Sequence, residues 1–140
     1  MHLVFEQDNL VADWVAERMH GFERGEEFQP CTAIGISDGR QLVAGVVYNH
    51  FRAGNVEMSM CAVTPLWAQR RFLKVFFGYP FSQLECHRVT ATAARKNRRA
   101  RKMLAGLGFQ LEGVIRKGYD CRQDAMIYGM LKHECKWIRN

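Results

Sequence analysis

The stretch that decides the fold covers residues 86–109 and reads CHRVTATAARKNRRARKMLAGLGF. Its first half has the period of a β-strand, because the apolar residues Val89, Ala91 and Ala93 alternate with two threonines. We therefore expect a strand with one buried face here. After it, the spacing of the apolar residues changes to that of a helix.

The second half of this stretch has the start, the period and the end of an amphipathic helix. Asn97 is a good N-cap, since its side-chain oxygen can accept a hydrogen bond from a backbone N–H of the first turn. Gly108 follows the last apolar residue, where a left-handed residue commonly ends a helix. One face has the i, i+3, i+4, i+7 spacing of a helix and consists of Ala100, Met103, Leu104 and Leu107.

Four basic residues crowd the first turns of the predicted helix: Arg98, Arg99, Arg101 and Lys102. A helix N-terminus already carries partial positive charge, so basic side chains there are electrostatically unfavourable. An anion such as phosphate would explain them, because helix N-termini and arginines both bind phosphate. Solvated side chains on an exposed surface explain them equally well.

Length and composition are those of an ordinary globular domain. The chain has 140 residues, of which 48% are hydrophobic and 24% charged, and we predict one domain over residues 1–140. No apolar run approaches the roughly 20 residues that cross a membrane, and the first residues lack the pattern of a signal peptide. We expect a cytoplasmic protein with no membrane partner.

The five cysteines predict free thiols, because their number is odd and a cytoplasmic protein rarely holds disulfides. None of them forms a C-x-x-C motif or has a histidine at metal-ligand spacing, so we expect no metal site. They are Cys31, Cys61, Cys86, Cys121 and Cys135.

The charge balance indicates anionic partners. The formal net charge is +6 and the calculated pI is about 9.3. Nucleic acid, an acidic protein and a polyphosphate cofactor would all suit such a chain. Much of the excess lies in residues 70–102, which favours a defined site, and the chain has no RRM or zinc-finger signature.

The remaining segments predict three turns or caps. Asp8 can cap a first helix that runs to about His20, and Asp38-Gly39 indicates a hairpin with a type I′ turn. Thr64-Pro65 has the residues of a helix start, with Thr64 as N-cap. Residues 21–30 are polar and acidic and indicate a loop or an irregular helix.

The whole pattern predicts a mixed sheet with helices on its faces, which is an α+β fold. We expect six to seven strands, mostly antiparallel, with helices between some of them. The strands are predicted at residues 2–6, 31–37, 41–51, 56–63, 89–93, 110–119 and 124–133, in the order β-α-β-β-β-α-β-α-β-β.

Three groups of residues occur together in this chain. They are Asp38-Gly39 to Gly45; Asn97, Ala100, Leu107, Gly108 and Phe109 in NRRARKMLAGLGF; and Glu112-Gly113 with Arg116 in LEGVIRKGYD. In these residues the chain resembles the GNAT acyltransferase superfamily, in particular RimJ/RimL-type and phage-encoded N-acetyltransferases. The likeness covers nearly the whole chain and is strongest over residues 64–131.

The resemblance implies acetyl-CoA as the acyl donor. It implies that the pantetheine arm pairs with a strand that splays from its neighbour, and that the pyrophosphate lies at the start of the next helix. The candidate donor-binding residues are Met60, Cys61, Ala62 and Val63 on the strand, Arg70, Arg71 and Phe72 on the helix, and Asn97 and Arg101 on the helix that follows.

The sequence departs from the family pattern in two places. Residues 68–73, where the family has a glycine-rich pyrophosphate loop, contain no glycine. Arg70 and Arg71 could replace backbone contacts with charge, or binding of coenzyme A could be weakened or lost. Leu104 stands where many relatives have a tyrosine acid, which leaves a serine, a cysteine, water or no acid at all.

Glu57 is the candidate general base, since acyl transfer to an amine requires removal of a proton. It alternates with Met58 and shares a strand face with Ser59 and Cys61. The alternative is a glutamate that merely faces solvent. His50 could assist proton transfer, although a turn histidine is the simpler interpretation, and Cys61 is more typical of a small buried residue than of a nucleophile.

The sequence thus predicts an acetyl-CoA-dependent N-acetyltransferase in which an amine attacks the thioester directly. Backbone N–H groups of residues 61–63 would polarise the carbonyl. The resemblance favours a protein amine as acceptor, whereas the acidic residues 21–30 would suit a small cationic amine. The alternative is an inactive binding protein whose basic face holds nucleic acid or a host protein. A homodimer is compatible with either hypothesis.

Overall fold

Seven strands form one mixed sheet in the computed structural model, which describes residues 1–19 and 25–139. The strands are β1 (His2–Val4), β2 (Cys31–Ser37), β3 (Leu42–Arg52), β4 (Asn55–Ala62), β5 (Arg88–Ala94), β6 (Gln110–Asp120) and β7 (Gln123–Leu131). The α-helices are α1 (Asp8–Arg18), α2 (Arg70–Gly78) and α3 (Arg98–Leu107). The predicted order of elements and the α+β class are confirmed, with boundaries that agree to within about two residues for the strands.

The strand order across the sheet is β1-β2-β3-β4-β5-β7-β6. All neighbours run antiparallel except β4 and β5, which run parallel. Parallel neighbours need a crossover connection, and α2 supplies it. The sheet therefore has one parallel pair at its centre, where the two antiparallel halves meet.

Each face of the sheet has its own apolar core. On one face, Val11 and Val15 of α1 pack against Ala33 and Val47. A Cβ atom on Gly45 would lie 2.8 Å from Cγ2 of Val15, so α1 approaches β3 as closely as it does only because this residue is glycine. We call this side of the sheet the α1 face.

The opposite side, the α2/α3 face, carries the larger core. Phe76 and Leu104 from the two helices pack with Val46 and Met58 from the sheet. Side chains alternate along β4 as predicted, since Met58 is buried on this face whereas Cys61 packs beside the α1 core.

The structure corrects one prediction about a turn. The hairpin at Asp38-Gly39 exists, but only Gly39 has a positive φ (101°), because the Asp38 carboxylate accepts hydrogen bonds from the N–H groups of Arg40 and Gln41 in a longer loop. The two-residue turn with both φ values positive, as a type I′ turn requires, instead joins β3 to β4 at Ala53 (49°) and Gly54 (81°).

Two predicted helix starts are also corrected. Asp8 is the first residue of α1 rather than its cap, and its Oδ1 accepts from the N–H of Ala33 at 2.9 Å, tying the helix to β2. Thr64 caps only a short 3₁₀ turn, and α2 begins at Arg70, after residue 69. The end of the first helix was predicted at His20, which lies outside the described residues. Residues 21–24, the first part of the acidic segment predicted over residues 21–30, also lie outside them.

Phe76 fills the centre of the larger core, and its removal is expected to destabilise the fold. The residue is 0% exposed, so Phe76→Ala should lower the free energy of unfolding by about 3–5 kcal/mol. Phe51→Ala is the matched control, because Phe51 is 58% exposed and should cost less than about 0.5 kcal/mol. Urea denaturation measures both, and equal losses would contradict this arrangement of the core.

Candidate active site

A cleft opens where β4 and β5 separate. Their parallel pairing covers only three residues of each strand and ends at Glu57 and Thr90. Beyond that point lies a cleft of about 460 Å³, a size typical of small-molecule sites. Its walls are residues 58–65 of β4 and the following loop, residues 91–94 of β5, and the first turns of α3. The splaying of strands that the resemblance implied is present.

The backbone of β4 faces this cleft with two of its peptide groups. The N–H of Val63 donates to the carbonyl of Val43 at 2.9 Å, so Val63 points towards β3. Because peptide groups alternate along a strand, Cys61 also points towards β3, whereas the N–H and C=O groups of Met60 and Ala62 point towards β5. Of the N–H donors expected in residues 61–63, the one that faces the cleft is therefore that of Ala62.

Helix α3 forms the apolar wall of the cleft. Asn97 caps the helix as predicted, and its Oδ1 accepts from the N–H of Ala100 at 3.1 Å. Gly108 ends the helix in the left-handed conformation, with a φ of 109°. The helix residues in the cleft wall are Asn97, Arg99, Ala100, Met103 and Leu104. Leu104 lies in this wall and presents no proton donor.

Two protonated side chains line the cleft on its other side. Burial raises the pKa of the Cys61 thiol to about 11, against a smaller opposing effect of Arg18. Burial, together with the neighbouring Cys61 and Asp120, raises the pKa of Tyr119. Both groups keep their protons at neutral pH, so Cys61 is not a thiolate nucleophile and both can donate hydrogen bonds. Tyr119 also lies in the cleft wall.

Glu57 lies beside the cleft rather than in its wall. Glu57 is paired with Asn49 of β3. It shares the α1 face with Ser59, which lies about 7 Å further along β4 and lines the cleft. Oε2 of Glu57 is 2.9 Å from Nδ1 of His50, so a protonated Nδ1 donates to the carboxylate. The Glu57 side chain is 42% exposed and is accessible to a molecule approaching this face.

The predicted phosphate residues at the start of α2 do not lie in the cleft. Arg70 donates to the backbone carbonyls of Lys136 and Arg139, both at 3.1 Å, and thereby anchors the C-terminal segment. Arg71 donates to the side chain of Gln69 and stacks on Phe72, which is itself buried in the core. No residue from α2 is part of the cleft wall in the described structure.

Arg101, which was predicted to bind the donor, also makes hydrogen bonds within the protein. Its guanidinium donates to the hydroxyl of Tyr128 at 3.0 Å and to the carbonyl of Arg95 at 3.1 Å. Arg101 therefore lies on the flank of α3 that faces β7. Two basic residues line the cleft, Arg18 and Arg99. Arg99 belongs to the basic group at the start of α3 for which the sequence left a phosphate-binding role open, whereas no prediction covered Arg18.

The cleft suits one part of coenzyme A better than the other. A narrow arm with amide groups fits between β4 and β5, where the peptide groups of Met60 and Ala62 can pair with it. The first turn of α2 is less suited to the phosphate end, since it has no glycine and the N–H of Phe72 already donates to the carbonyl of Gln69. Five of the nine predicted donor-binding residues line the cleft: Met60, Cys61, Ala62, Val63 and Asn97.

Two other features of the described residues bear on function. No group of three or more histidine, cysteine, aspartate or glutamate side chains there is arranged to hold a metal ion. No helix in residues 1–19 and 25–139 is long and apolar enough to cross a membrane.

Comparison with known proteins identifies similar folds but no similar sequence. No family model matches the chain. None of the curated proteins matches it either. Among solved structures, the ribosomal-protein-S5-alanine acetyltransferase from Vibrio fischeri has a TM-score of 0.69 at 16% identity, over 96% of this chain and 94% of that one.

Two further structures match a smaller share of their own length. Spermidine N-acetyltransferase from Vibrio cholerae has a TM-score of 0.61 at 18% identity, over 76% of this chain and 67% of that one. A protein from T. thermophilus described as an acetyltransferase has a TM-score of 0.64 at 21% identity, and the chain spans only 61% of its length. These likenesses establish that the chain has the GNAT fold of the acetyltransferases.

Proposed function

We propose that the protein is an acetyl-CoA-dependent N-acetyltransferase that acts on a primary amine. The observation that carries this proposal is the cleft between β4 and β5, which exposes two peptide groups of β4 beside a carboxylate. The GNAT fold supports it. Donor and acceptor would then meet in the same opening through the sheet, the donor from the α2/α3 face and the acceptor from the α1 face.

The donor arm is held by the chain on both sides of the cleft. The N–H and C=O groups of Met60 and Ala62 pair with its amides as a further strand would. Asn97 and Ala100 border the donor arm on the α3 side. The N–H of Ala62 is positioned to polarise the acyl carbonyl, which stabilises the oxygen as negative charge develops on it.

Glu57 is the proposed general base on the acceptor side. Its carboxylate accepts a proton from the attacking amine, directly or through one water molecule. This is possible because Glu57 lies two residues along β4 from Ser59, on the same face, and Ser59 lines the cleft. The hydrogen bond from His50 fixes the orientation of the carboxylate. Glu57 is the catalytic residue in this scheme, and His50 is a positioning residue.

The donor thioester supplies the acetyl group: its carbon–sulfur bond breaks as the bond between nitrogen and carbon forms, and coenzyme A leaves as a thiolate. The chain offers the departing sulfur two protonated donors, the thiol of Cys61 and the hydroxyl of Tyr119. A tyrosine on α3 is therefore not required for this step. The proposed scheme contains no covalent acyl-enzyme, because the amine attacks the thioester directly.

The acceptor proposed is an amine of a protein rather than a polyamine. The sequence resembles protein N-acetyltransferases, and one structural neighbour is named as a ribosomal-protein-S5-alanine acetyltransferase. Arg18 lines the cleft on the acceptor side, and its positive charge would repel a molecule that carries several ammonium groups. Spermidine, the substrate that the name of the Vibrio cholerae enzyme gives, is the competing acceptor.

A turnover assay tests the proposed activity. The protein is incubated with acetyl-CoA and either short peptides with free N-termini or spermidine, and release of free thiol is followed with a thiol reagent. Mass spectrometry of the acceptor confirms transfer. Acetylated peptide is the expected product, acetylated spermidine would reverse the choice of acceptor, and no product from either would contradict the proposed activity.

A further inference from the structure

We propose that Arg99 binds a phosphate group of coenzyme A, in place of the glycine-rich loop that this chain lacks. The proposal rests on the proposed function, because it assigns a residue to the same donor site. According to this proposal, the phosphates of the donor lie at the start of α3 rather than at the start of α2. Three observations carry it: the position of Arg99 on the helix, its lack of other partners, and the engagement of the competing arginines.

The position of Arg99 follows from the period of α3. Arg99 and Met103 are four residues apart, so they lie on the same side of the helix, and both line the cleft. Arg101 is two residues further on, roughly 200° around the axis, and it faces Tyr128 on β7. Of the basic residues in α3, the one that lines the cleft is therefore Arg99.

Arg99 is also free to bind an anion. It is exposed, and no other described residue forms a hydrogen bond or an ion pair with its side chain. Arg70, Arg71 and Arg101 all donate to groups of the protein. Moving them onto a phosphate would break those contacts, whereas recruiting Arg99 costs only the ordering of its side chain.

An interaction between the Arg99 guanidinium and a phosphate group is chemically favourable at this position. A guanidinium group donates two parallel hydrogen bonds to phosphate, and such charge-assisted bonds are stronger than neutral ones. The wall next to Arg99 is apolar, consisting of Ala100 and Met103, which reduces screening by water on that side. Solvated neighbours such as Arg98 contribute only to the general positive potential.

Isothermal titration with coenzyme A itself tests this assignment without any catalytic readout. Arg99→Ala is expected to weaken binding about 10-fold, which corresponds to about 1.4 kcal/mol. Arg98→Ala is the matched control, since it removes the same charge from the adjacent position but does not line the cleft, and it should change affinity less than about 2-fold.

Two shortened ligands locate the contact. Pantetheine has no phosphate, so its affinity should be the same for the wild type and Arg99→Ala. Dephospho-coenzyme A keeps the diphosphate, so loss of the 10-fold effect with this ligand assigns Arg99 to the 3′-phosphate, and its retention assigns Arg99 to the diphosphate.

The failures of the two proposals are distinguishable. If the wild type binds coenzyme A and both alanine variants bind it equally well, Arg99 does not contact phosphate and this inference is overturned. The same holds if Arg99→Ala weakens pantetheine as much as coenzyme A. If the wild type binds no coenzyme A at all, the proposed function fails, and this inference fails with it.

Discussion

Glu57→Gln is expected to lower kcat by about 100-fold or more while leaving the affinity for coenzyme A unchanged. Glutamine has nearly the same shape but cannot accept a proton, and a general base typically contributes 10²- to 10⁴-fold. Donor binding should be unaffected, because Glu57 is not part of the cleft wall. Steady-state kinetics gives kcat, and titration with coenzyme A gives the affinity.

Glu112→Gln is the matched control for this variant. Glu112 lies on the same side of the sheet, where its carboxylate pairs with Arg88 at 2.8 Å, and it is not part of the cleft wall. Its substitution should change kcat less than about 2-fold, because the residue has no part in proton transfer. A fully active Glu57→Gln variant, or equal losses in both variants, would remove Glu57 from the role of base.

The second large effect is expected from filling the cleft. Ala100 lies in its wall on α3, and the indole of an Ala100→Trp variant would occupy the space between β4 and β5. Affinity for coenzyme A should fall by at least about 100-fold, since the donor arm and the indole cannot share the cleft. The backbone N–H that Asn97 caps is retained, so the helix should still form.

Ala105→Trp provides the control, because Ala105 is exposed on the same helix and lies outside the cleft wall. Its affinity for coenzyme A should remain within about 2-fold of the wild type. Thermal unfolding of both variants establishes that they are folded. Undiminished binding by a folded Ala100→Trp variant would place the donor elsewhere on the protein.

The sequence predicts the fold well where local pattern and long-range packing agree. The threonine alternation of β5, the Asn97 cap and the left-handed Gly108 all depend on backbone geometry within a few residues, and all three are present. The failed prediction of a cap at Asp8 involves a choice between a local partner and a distant one. Asp8 could cap α1 or bond to β2, and only the tertiary arrangement determines that it bonds to Ala33.

The candidate site was predicted less completely, for a related reason. The strand residues from Met60 to Val63 were placed in the site by the resemblance, and they line the cleft. Which arginine faces the cleft could not be predicted from charge, because Arg70 and Arg101 are equally basic but have carbonyl or hydroxyl partners from distant segments. The helical period alone would have favoured Arg99, since it shares a side of α3 with Met103.

The alternative of a binding protein without activity makes a contrary prediction. Its basic face would bind DNA or RNA with an affinity that falls steeply with salt concentration. Exposed side chains near the start of α3, such as Lys96 and Arg98, would supply that charge. Salt-dependent nucleic-acid binding by a protein that does not bind coenzyme A would select this alternative.

The central claim is that the cleft between β4 and β5 binds acetyl-CoA, and isothermal titration of the wild-type protein tests it most directly. We expect a single saturable site with a dissociation constant at or below about 1 mM, the upper range of common Michaelis constants, and loss of that site in Ala100→Trp. The absence of any binding heat at millimolar acetyl-CoA would contradict the claim.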